Sequence, residues 1–444
     1  MFFLNRDVEL NEKLLKKMIE KFNLEVAPQR KKYKDYYDGV QAILNKSYSD
    51  PTKPCNKTVI NYCKNIVDSY CGYIATPDFI SYRSDEDINE IMDILKYNDY
   101  QAEDANYLLD ALVYGTAAEL MFIDTMGQTR FRTINPQQYF AVYDDTLAGD
   151  LIYFVRMYDV SQWDDEDIFN VDVYSDYDVR HYSMKGNNGS LSFLGAEPHY
   201  FSQCPANVFN MPDEKSIFDC IMSLQDSANE LVSGEIDDFM AFCDALLALT
   251  GCDAESEDIG EMKQDRVMIL PEGASAEWIT KNINDTQIEN ILKRIHESIY
   301  RIAACPDFSS ESFVGGVSSG IAIRYRLTGM ETRAGKIEAE MKKALHRRIE
   351  IICGIASLKL GEEAFKDIEI DFKRNIPSDI NATINLVNTL KGTVSDATLL
   401  SQLDFITDVN KELELIEKQK QDNMAIYGLG AFVSDNTEDE EDTE

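Results

Sequence analysis

The stretch EKSIFDCIMSLQDSANELVSGEIDDFMAFCDALLALTG, from Glu214 to Gly251, decides how the rest of the chain is interpreted. Its apolar residues recur at the spacing of one helical face, and the pattern resumes after Gly234. We therefore predict a long helix over residues 213–250. If it is unbroken, its ~37 residues would span roughly 55 Å. The stripe comprises Ile217, Ile221, Leu224, Ala228, Leu231, Ile236, Phe239, Cys243 and Leu246.

A second helical pattern, DTQIENILKRIHESIYRIAACPDF, extends from Asp285 to Phe308. Thr286 and Glu289 are spaced as a capping box at its start, and Pro306 terminates it. Between the two helices lies an acidic insert, residues 251–282. The segment RVMILPEGASAEWITKN within this insert predicts a small hairpin around a Pro-Glu-Gly turn.

After the second helix comes SSESFVGGVSSG, residues 309–320, a small-residue stretch that is mobile by composition. A third helix is predicted over about 320–355, and it is the only strongly basic part of the chain. Its basic face fits a solvated or ion-paired surface, and it also fits pairing with acidic surfaces of a neighbouring subunit. The basic residues are Arg324, Arg326, Arg333, Lys336, Lys342, Lys343, Arg347 and Arg348.

The flanking regions predict a mixture of helices and strands. Residues 1–50 indicate an exposed arm or a helix docked on a neighbour. A helix followed by a strand at Phe79–Tyr82 fits NKTVINYCKNIVDSYCGYIATPDFISY, and residues 85–114 are amphipathic and helical. Over residues 115–212 the period changes to two, which predicts an antiparallel sheet of five or more strands.

Near the C-terminus, DIEIDFKR from Asp367 alternates like a strand. Two helices then fit residues 379–391 and 395–420. The last ten residues, DNTEDEEDTE, are too acidic and too poor in apolar side chains to fold.

The charge of the chain limits its partners. Lys and Arg number 43 against 79 Asp and Glu, so the net charge is −36 over 444 residues. This argues against ordinary nucleic-acid binding, which needs basic side chains to neutralise phosphates. It is compatible with plain solubility, and also with a wall that lets DNA pass without adhering to it. Nine scattered cysteines and no signal or membrane-spanning segment lead us to expect free thiols in a soluble intracellular protein or a particle assembled inside a cell.

No catalytic motif is present in the sequence. It lacks a GxxxxGK[ST] nucleotide loop, GxGxxG, HExxH and GxSxG, and its four histidines lie far apart. Adjacent carboxylates such as Asp144-Asp145 and Asp237-Asp238 are expected by chance in so acidic a chain. We therefore predict a protein that is not an enzyme and has no metal or cofactor. The order helix, acidic insert, helix, Gly/Ser loop and long helix suggests a ring subunit that lines a channel.

Four stretches together resemble the portal proteins of tailed bacteriophages, of the type found in siphophages of Gram-positive hosts. The resemblance covers roughly residues 30–420 and depends on the order and spacing of the stretches. They are NKTVINYCKNIVDSYCGYIATPDFISY, YGTAAELMFIDTMGQTRFRTINPQQYFAVYDD, LQDSANELVSGEIDDFMAFCDALLALTG and SSGIAIRYRLTGMETRAGKIEAEM.

The resemblance implies an α+β fold with named parts. These are a mixed α/β wing at 1–212, stem helices at 213–250 and 283–305, and between them a small α/β clip at 251–282. A channel loop at 306–319 follows, then a long kinked helix and a wing strand at 320–377, a helical crown at 378–424 and an acidic tail at 425–444.

The resemblance also implies a site and partners. Subunits would form a ring, a dodecamer in the capsid, through which double-stranded DNA passes without sequence specificity. The clip would dock the terminase large subunit and the head-tail adaptor, and the ring would meet the major capsid and scaffolding proteins at one vertex of the virion. The implied channel-loop residues are Asp307, Phe308, Ser309, Ser310, Glu311, Ser312, Phe313, Val314, Gly315 and Gly316. The implied clip residues are Asp253, Glu255, Glu257, Asp258, Arg266, Glu272 and Trp278.

Two alternatives stay open at this point. A scaffolding or other head component would be mostly helical and low in aromatics, which the aromatic strand region 115–212 disfavours. A metal-dependent nuclease would use paired carboxylates, and Mg²⁺-dependent DNA cleavage would reveal it.

Overall fold

A computed structural model of the chain contains two compact units, Met1–Gly316 with Arg326–Asn375, and Val317–Tyr325 with Ile376–Glu444. The residues that the structure describes are 2–51, 53–161, 167–186, 189–243, 246–250, 273, 275–279, 285–309, 320–355, 363–374, 380–400, 403, 406, 409 and 412–421.

The N-terminal segment packs on the chain's own sheet. A strand, β1 (Phe2–Leu4), precedes helix α1 (Glu12–Lys21), and a π-helical turn leads into α2 (Ala27–Tyr37). One face of α1 and the turn is buried, through Leu15, Met18, Ile19 and Phe22. The expectation of an exposed arm is therefore wrong for this segment, because its apolar stripe has an internal partner.

The next elements form where the periodicity predicts them. They are α3 (Tyr62–Ile74), β2 (Ile80–Arg83), α4 (Asn89–Tyr97) and α5 (Tyr100–Tyr114). Strand β2 pairs antiparallel with β13 (Glu369–Phe372), a strand almost 290 residues later in the chain. The alternating DIEIDFKR segment is therefore confirmed as a strand, and it returns to the N-terminal part of the molecule.

The predicted sheet at 115–212 is split into two. A six-stranded sheet has the order β1-β5-β6-β7-β8-β9, and a three-stranded sheet has the order β10-β3-β4. The 3₁₀ turn Pro136–Gln138 carries the chain from one sheet to the other. The strands are β3 (Thr116–Ile123), β4 (Thr129–Ile134), β5 (Tyr139–Asp144), β6 (Leu151–Asp159), β7 (Ile168–Tyr174), β8 (Asp178–Lys185), β9 (Leu191–Pro198) and β10 (Ala206–Asn210).

Strand β5 shows why two layers form. Phe140 and Val142 lie in a core cluster with α1 on one face of the sheet. Tyr139 and Ala141 lie in a second cluster with residues of β3 and β10 on the other face. Successive side chains of a strand point to opposite faces, so an uninterrupted apolar run fits a strand that is covered on both sides.

The predicted helix over 213–250 is wrong at both ends. A 3₁₀ turn at Asp219–Ile221 precedes helix α6 (Met222–Cys243), and Leu246–Thr250 is a strand, β11. Strand β11 pairs antiparallel with β12 (Ser275–Ile279), with Leu246 opposite Ile279. A short apolar run cannot be assigned to helix or strand by periodicity alone, so its long-range partner decides.

Strand β12 confirms the second strand of the hairpin predicted in the insert. The first strand of that prediction lies outside the described residues, and the strand paired with β12 is β11 instead. After the insert, helix α7 (Asp285–Ile302) confirms the second helical pattern.

Helix α8 (Gly320–Cys353) confirms the third helix. In the second unit, helix α9 (Ile380–Leu390) matches the prediction for 379–391. A short helix, α10 (Asp396–Leu400), and helical residues 412–421 occupy the predicted helix over 395–420. The acidic tail lies outside the described residues.

Candidate functional site

Helix α6 binds an extended segment of the chain through four polar residues spaced four apart. Their side chains accept hydrogen bonds from alternate backbone N–H groups of residues 56–62. The pairs are Asn56 to Asp237 at 2.7 Å, Thr58 to Ser233 at 3.0 Å, Ile60 to Asn229 at 2.9 Å and Tyr62 to Gln225 at 2.9 Å. We call Gln225, Asn229, Ser233 and Asp237 the polar ladder.

The polar ladder depends on a match of two repeats. Four residues of an α-helix rise about 6 Å, and two residues of an extended strand rise about 6.6 Å. An extended segment antiparallel to α6 can therefore present every second N–H to every fourth side chain over the whole length of the contact.

The polar ladder is buried and its members have further partners. Gln225, Asn229 and Ser233 are fully buried, and the Asn229 amide also donates to Gln41 at 2.5 Å. Asp237 accepts bonds from Lys46 as well as from Asn56. Burial opposes ionisation of Asp237, but these donors outweigh it and lower its pKa below the usual value. The segment 56–62 is therefore fixed along α6, and Lys46 is held beside it.

Sequence reasoning missed the polar ladder, because it followed the apolar stripe of the same helix. The signal was present as four amide, hydroxyl or carboxylate residues at i, i+4, i+8 and i+12. Asn, Ser and Asp are unfavourable in a helix interior, so their regular spacing with Gln225 on one helix is a signal of a polar partner.

The predicted loop begins at a rigid base at the end of α7. Ala304 has a left-handed backbone with φ of 52°. The Tyr70 hydroxyl of α3 donates to the carbonyls of Ala303 at 2.9 Å and Ala304 at 3.1 Å. The Arg333 guanidinium of α8 donates to the Ala303 carbonyl at 3.1 Å and to the Ile217 carbonyl at 3.0 Å. Two other helices, α3 and α8, therefore hold the point where α7 ends.

Asp307, the first charged residue of the predicted loop, is held by side chains around it. Its Oδ2 lies 2.9 Å from Nε2 of His296, and its Oδ1 accepts the Ser309 hydroxyl at 2.7 Å and the Ser309 N–H at 3.0 Å. Burial opposes ionisation of Asp307, but the bonds from Ser309 and His296 prevail and lower its pKa. Asp307 is thus a partly buried, ionised anchor at the base of the loop.

Few of the other predicted site residues lie in the described ranges. Phe308 and Ser309 are described, and Phe308 is 41% exposed. The remaining loop residues, 310–316, lie outside the described residues. Of the predicted clip residues, Trp278 lies in β12 opposite Leu247, and the other six lie outside the part that the structure describes.

Part of the basic helix α8 forms ion pairs within the chain. Arg348 is fully buried and donates to both carboxylate oxygens of Glu119, at 2.8 and 2.7 Å, while Asp104 lies 2.5 Å away. Asn207 of β10 donates to the same Glu119 at 2.7 Å. At this end of α8 the ion-paired interpretation is confirmed. On the same helix Lys336 and Lys342 are exposed.

Within the described ranges, no three His, Cys, Asp or Glu side chains come together as a metal ion would require. Likewise, among those residues no helix has the length and apolar character needed to cross a membrane.

Comparison with known proteins identifies the family of the chain. The model of the family described as "Phage portal protein, SPP1 Gp6-like" matches residues 16–425. The chain belongs to this family. It is also similar to a protein named "Portal protein" of Clostridium phage phiCD119, with 20% identity over 426 residues, which covers 87% of this chain and 92% of that protein. The resemblance inferred from the four sequence stretches is confirmed, and the family is a structural one.

Proposed function

We propose that the chain assembles into a homo-oligomeric ring, with twelve subunits in the virion, at one vertex of a phage capsid. Double-stranded DNA would pass through its centre during packaging and ejection. The observation that carries this proposal is the family match over residues 16–425, almost the whole chain. The net charge of −36 favours a conduit that repels phosphate, and it disfavours a surface that binds phosphate.

The parts of the ring follow from the elements described above. Residues 1–212 with β13 form the wing, and α6 and α7 form the stem. The clip comprises β11, β12 and the insert between them, so it begins near Leu246 and not at 251. The channel loop extends over 306–319 from the base at Asp307, and residues 378–424 form the crown.

The clip is the part that we assign to partners. It would dock the terminase large subunit, which supplies ATP hydrolysis for packaging, and later the head-tail adaptor. The major capsid and scaffolding proteins would surround the ring at the vertex. The absence of a nucleotide-binding motif in the sequence supports this division, because the energy must come from another protein.

Electron microscopy of the purified protein tests the ring directly. We expect class averages with a central channel and a countable rotational symmetry. Deleting Ser309–Val317 should leave the rings intact and reduce the DNA packaged in a complementation assay. Loss of the rings on deletion would show that the loop is misplaced, and Mg²⁺-dependent DNA cleavage by a ringless protein would favour the nuclease.

A further inference from the structure

The base of the channel loop is connected to the stem through one histidine. His296 of α7 contacts Asp307 through Nε2 at 2.9 Å, and its Nδ1 lies 3.3 Å from the hydroxyl of Tyr62, the first residue of α3. An imidazole that carries its proton on Nε2 satisfies both contacts, because it donates to the carboxylate and accepts from the hydroxyl. We propose that His296 is a positioning residue that fixes the base of the loop by joining Asp307 to Tyr62.

Aromatic packing fixes the orientation of the imidazole. Tyr62 meets the ring edge-on with centroids 5.6 Å apart, and Tyr300 lies 4.9 Å from it. The Tyr300 hydroxyl in turn donates to Asn65 of α3 at 3.2 Å. A ring that is held on two sides cannot turn away from Asp307 without breaking these contacts, so the geometry of the pair is set by α3 and α7 together.

The same contacts extend to α6. The N–H of Tyr62 is the last bond of the polar ladder, to Gln225 at 2.9 Å. Gln225, Tyr62, His296 and Asp307 therefore form a continuous series of contacts from α6 through α3 and α7 to the loop. A relative shift of these helices would change the position of Asp307. This inference depends on the proposed function, because only there does the loop contact DNA.

The chain carries its own reporter of this position. Cys305 lies two residues before Asp307 and is 4% exposed, and its thiol donates to the Pro306 carbonyl at 3.6 Å. Burial raises the pKa of Cys305 to about 11. As long as the base of the loop is fixed, two effects slow alkylation of the thiol. Burial keeps the reagent away from the sulfur, and the raised pKa keeps the concentration of the reactive thiolate low.

Alkylation with iodoacetamide, followed residue by residue with mass spectrometry, tests the proposal on the assembled full-length protein. His296→Ala should raise the alkylation rate of Cys305 by about tenfold, because a charge-assisted hydrogen bond is lost and the turn opens more often. His296→Gln, which keeps a donor and an acceptor, should restore much of the protection. The matched control is His181→Ala, since His181 also bonds a carboxylate, Asp172 at 2.7 Å, but lies in the six-stranded sheet.

Internal controls separate a local effect from unfolding. Cys204 is fully buried in the wing and should stay unreactive, whereas the exposed Cys220 should react in every sample. If His296→Ala also exposes Cys204, the fold is lost, and Asp307→Asn then decides, since it keeps the size of the side chain and removes its charge and one acceptor oxygen. Cys305 rates equal to wild type in both variants would overturn the proposal.

Coupling and assembly are read from the same samples. Tyr62→Phe and Asp307→Asn should have non-additive effects on Cys305 if His296 joins them, and additive effects would contradict the connection. Rings are counted by microscopy in parallel. A wild-type protein without rings would refute the proposed function and leave the Cys305 result to judge the positioning role alone.

Discussion

At the scale of single residues, the buried cluster around Arg348 has an unbalanced charge. One guanidinium faces two carboxylates, Glu119 and Asp104, and all three side chains are at most 1% exposed. Burial raises the pKa of Asp104 to about 6, although Arg348 opposes the shift, and Glu119 and Glu103 add to it. The excess negative charge is thus assigned to Asp104, while Glu119 keeps the bidentate pair.

We predict that Asp104→Asn affects stability in a pH-dependent way. The folded state holds the Asp104 proton more tightly than the unfolded state, whose pKa is the usual 3.8. The contribution of this group is fully present below that value and is lost as the pH rises through about 6. The free energy of unfolding of Asp104→Asn, relative to that of wild type, should therefore increase by about 1–2 kcal/mol as the pH rises from about 5 to about 7.5. Urea denaturation at the two pH values measures this change.

Glu119→Gln is the matched comparison for that prediction. It removes the charge and one of the two oxygens that accept from Arg348, so it should cost about 3 kcal/mol at both pH values. If Asp104→Asn and Glu119→Gln lower the free energy of unfolding equally at about pH 7.5, the excess charge is not localised on Asp104.

At the scale of elements, the polar ladder joins α6 to the segment 56–62 through hydrogen bonds between side chains and backbone. Asn229→Ala would remove the acceptor of the Ile60 N–H and the donor to the side-chain carbonyl of Gln41. We expect a loss of about 1–3 kcal/mol in the free energy of unfolding, measured by chemical denaturation. Ser227→Ala, on the exposed side of the same helix, should change stability by less than about 0.5 kcal/mol. Similar losses from both would argue against the ladder as a stabilising contact.

Elements also show where periodicity reaches its limit. Helices α3, α7 and α8 lie where the 3.6-residue pattern predicts them, because each keeps one apolar face over many turns. The apolar run Leu246–Thr250 was assigned to a helix, and it is a strand because Ser275–Ile279 pairs with it. Strand β9 lies within the predicted sheet region, but its side chains are mostly exposed on both faces, so it has no alternating burial pattern of its own.

At the scale of the whole molecule, charge opposes assembly. Each subunit carries −36, so a ring of identical subunits concentrates negative charge around its centre. We predict that raising NaCl from about 0.02 M to about 0.3 M shifts the protein from monomers to rings, because the Debye length falls from roughly 20 Å to below 10 Å. Sedimentation velocity measures the shift. Dissociation with rising salt would instead show that attractive ion pairs between subunits dominate the interface.

The sequence by itself determined the family, the mixed α and β character and the positions of the main helices. These properties depend on local periodicity, on turn residues and on the order of motifs along one chain. The loop and the clip are predicted in the same way, from composition and from the order of segments along the chain.

Only the tertiary structure decided which polar residues matter at the base of the loop. Asp307 and His296 are eleven residues apart, but Tyr62 reaches His296 from a distant part of the chain. Tyr70 and Arg333 likewise reach the Ala303 carbonyl from distant elements. The separation of one predicted sheet into two, and the return of β13 to β2, have the same origin. A contact between one side chain and a distant residue, such as His296 with Tyr62, leaves no periodic trace in either partner, so folding alone brings the two together.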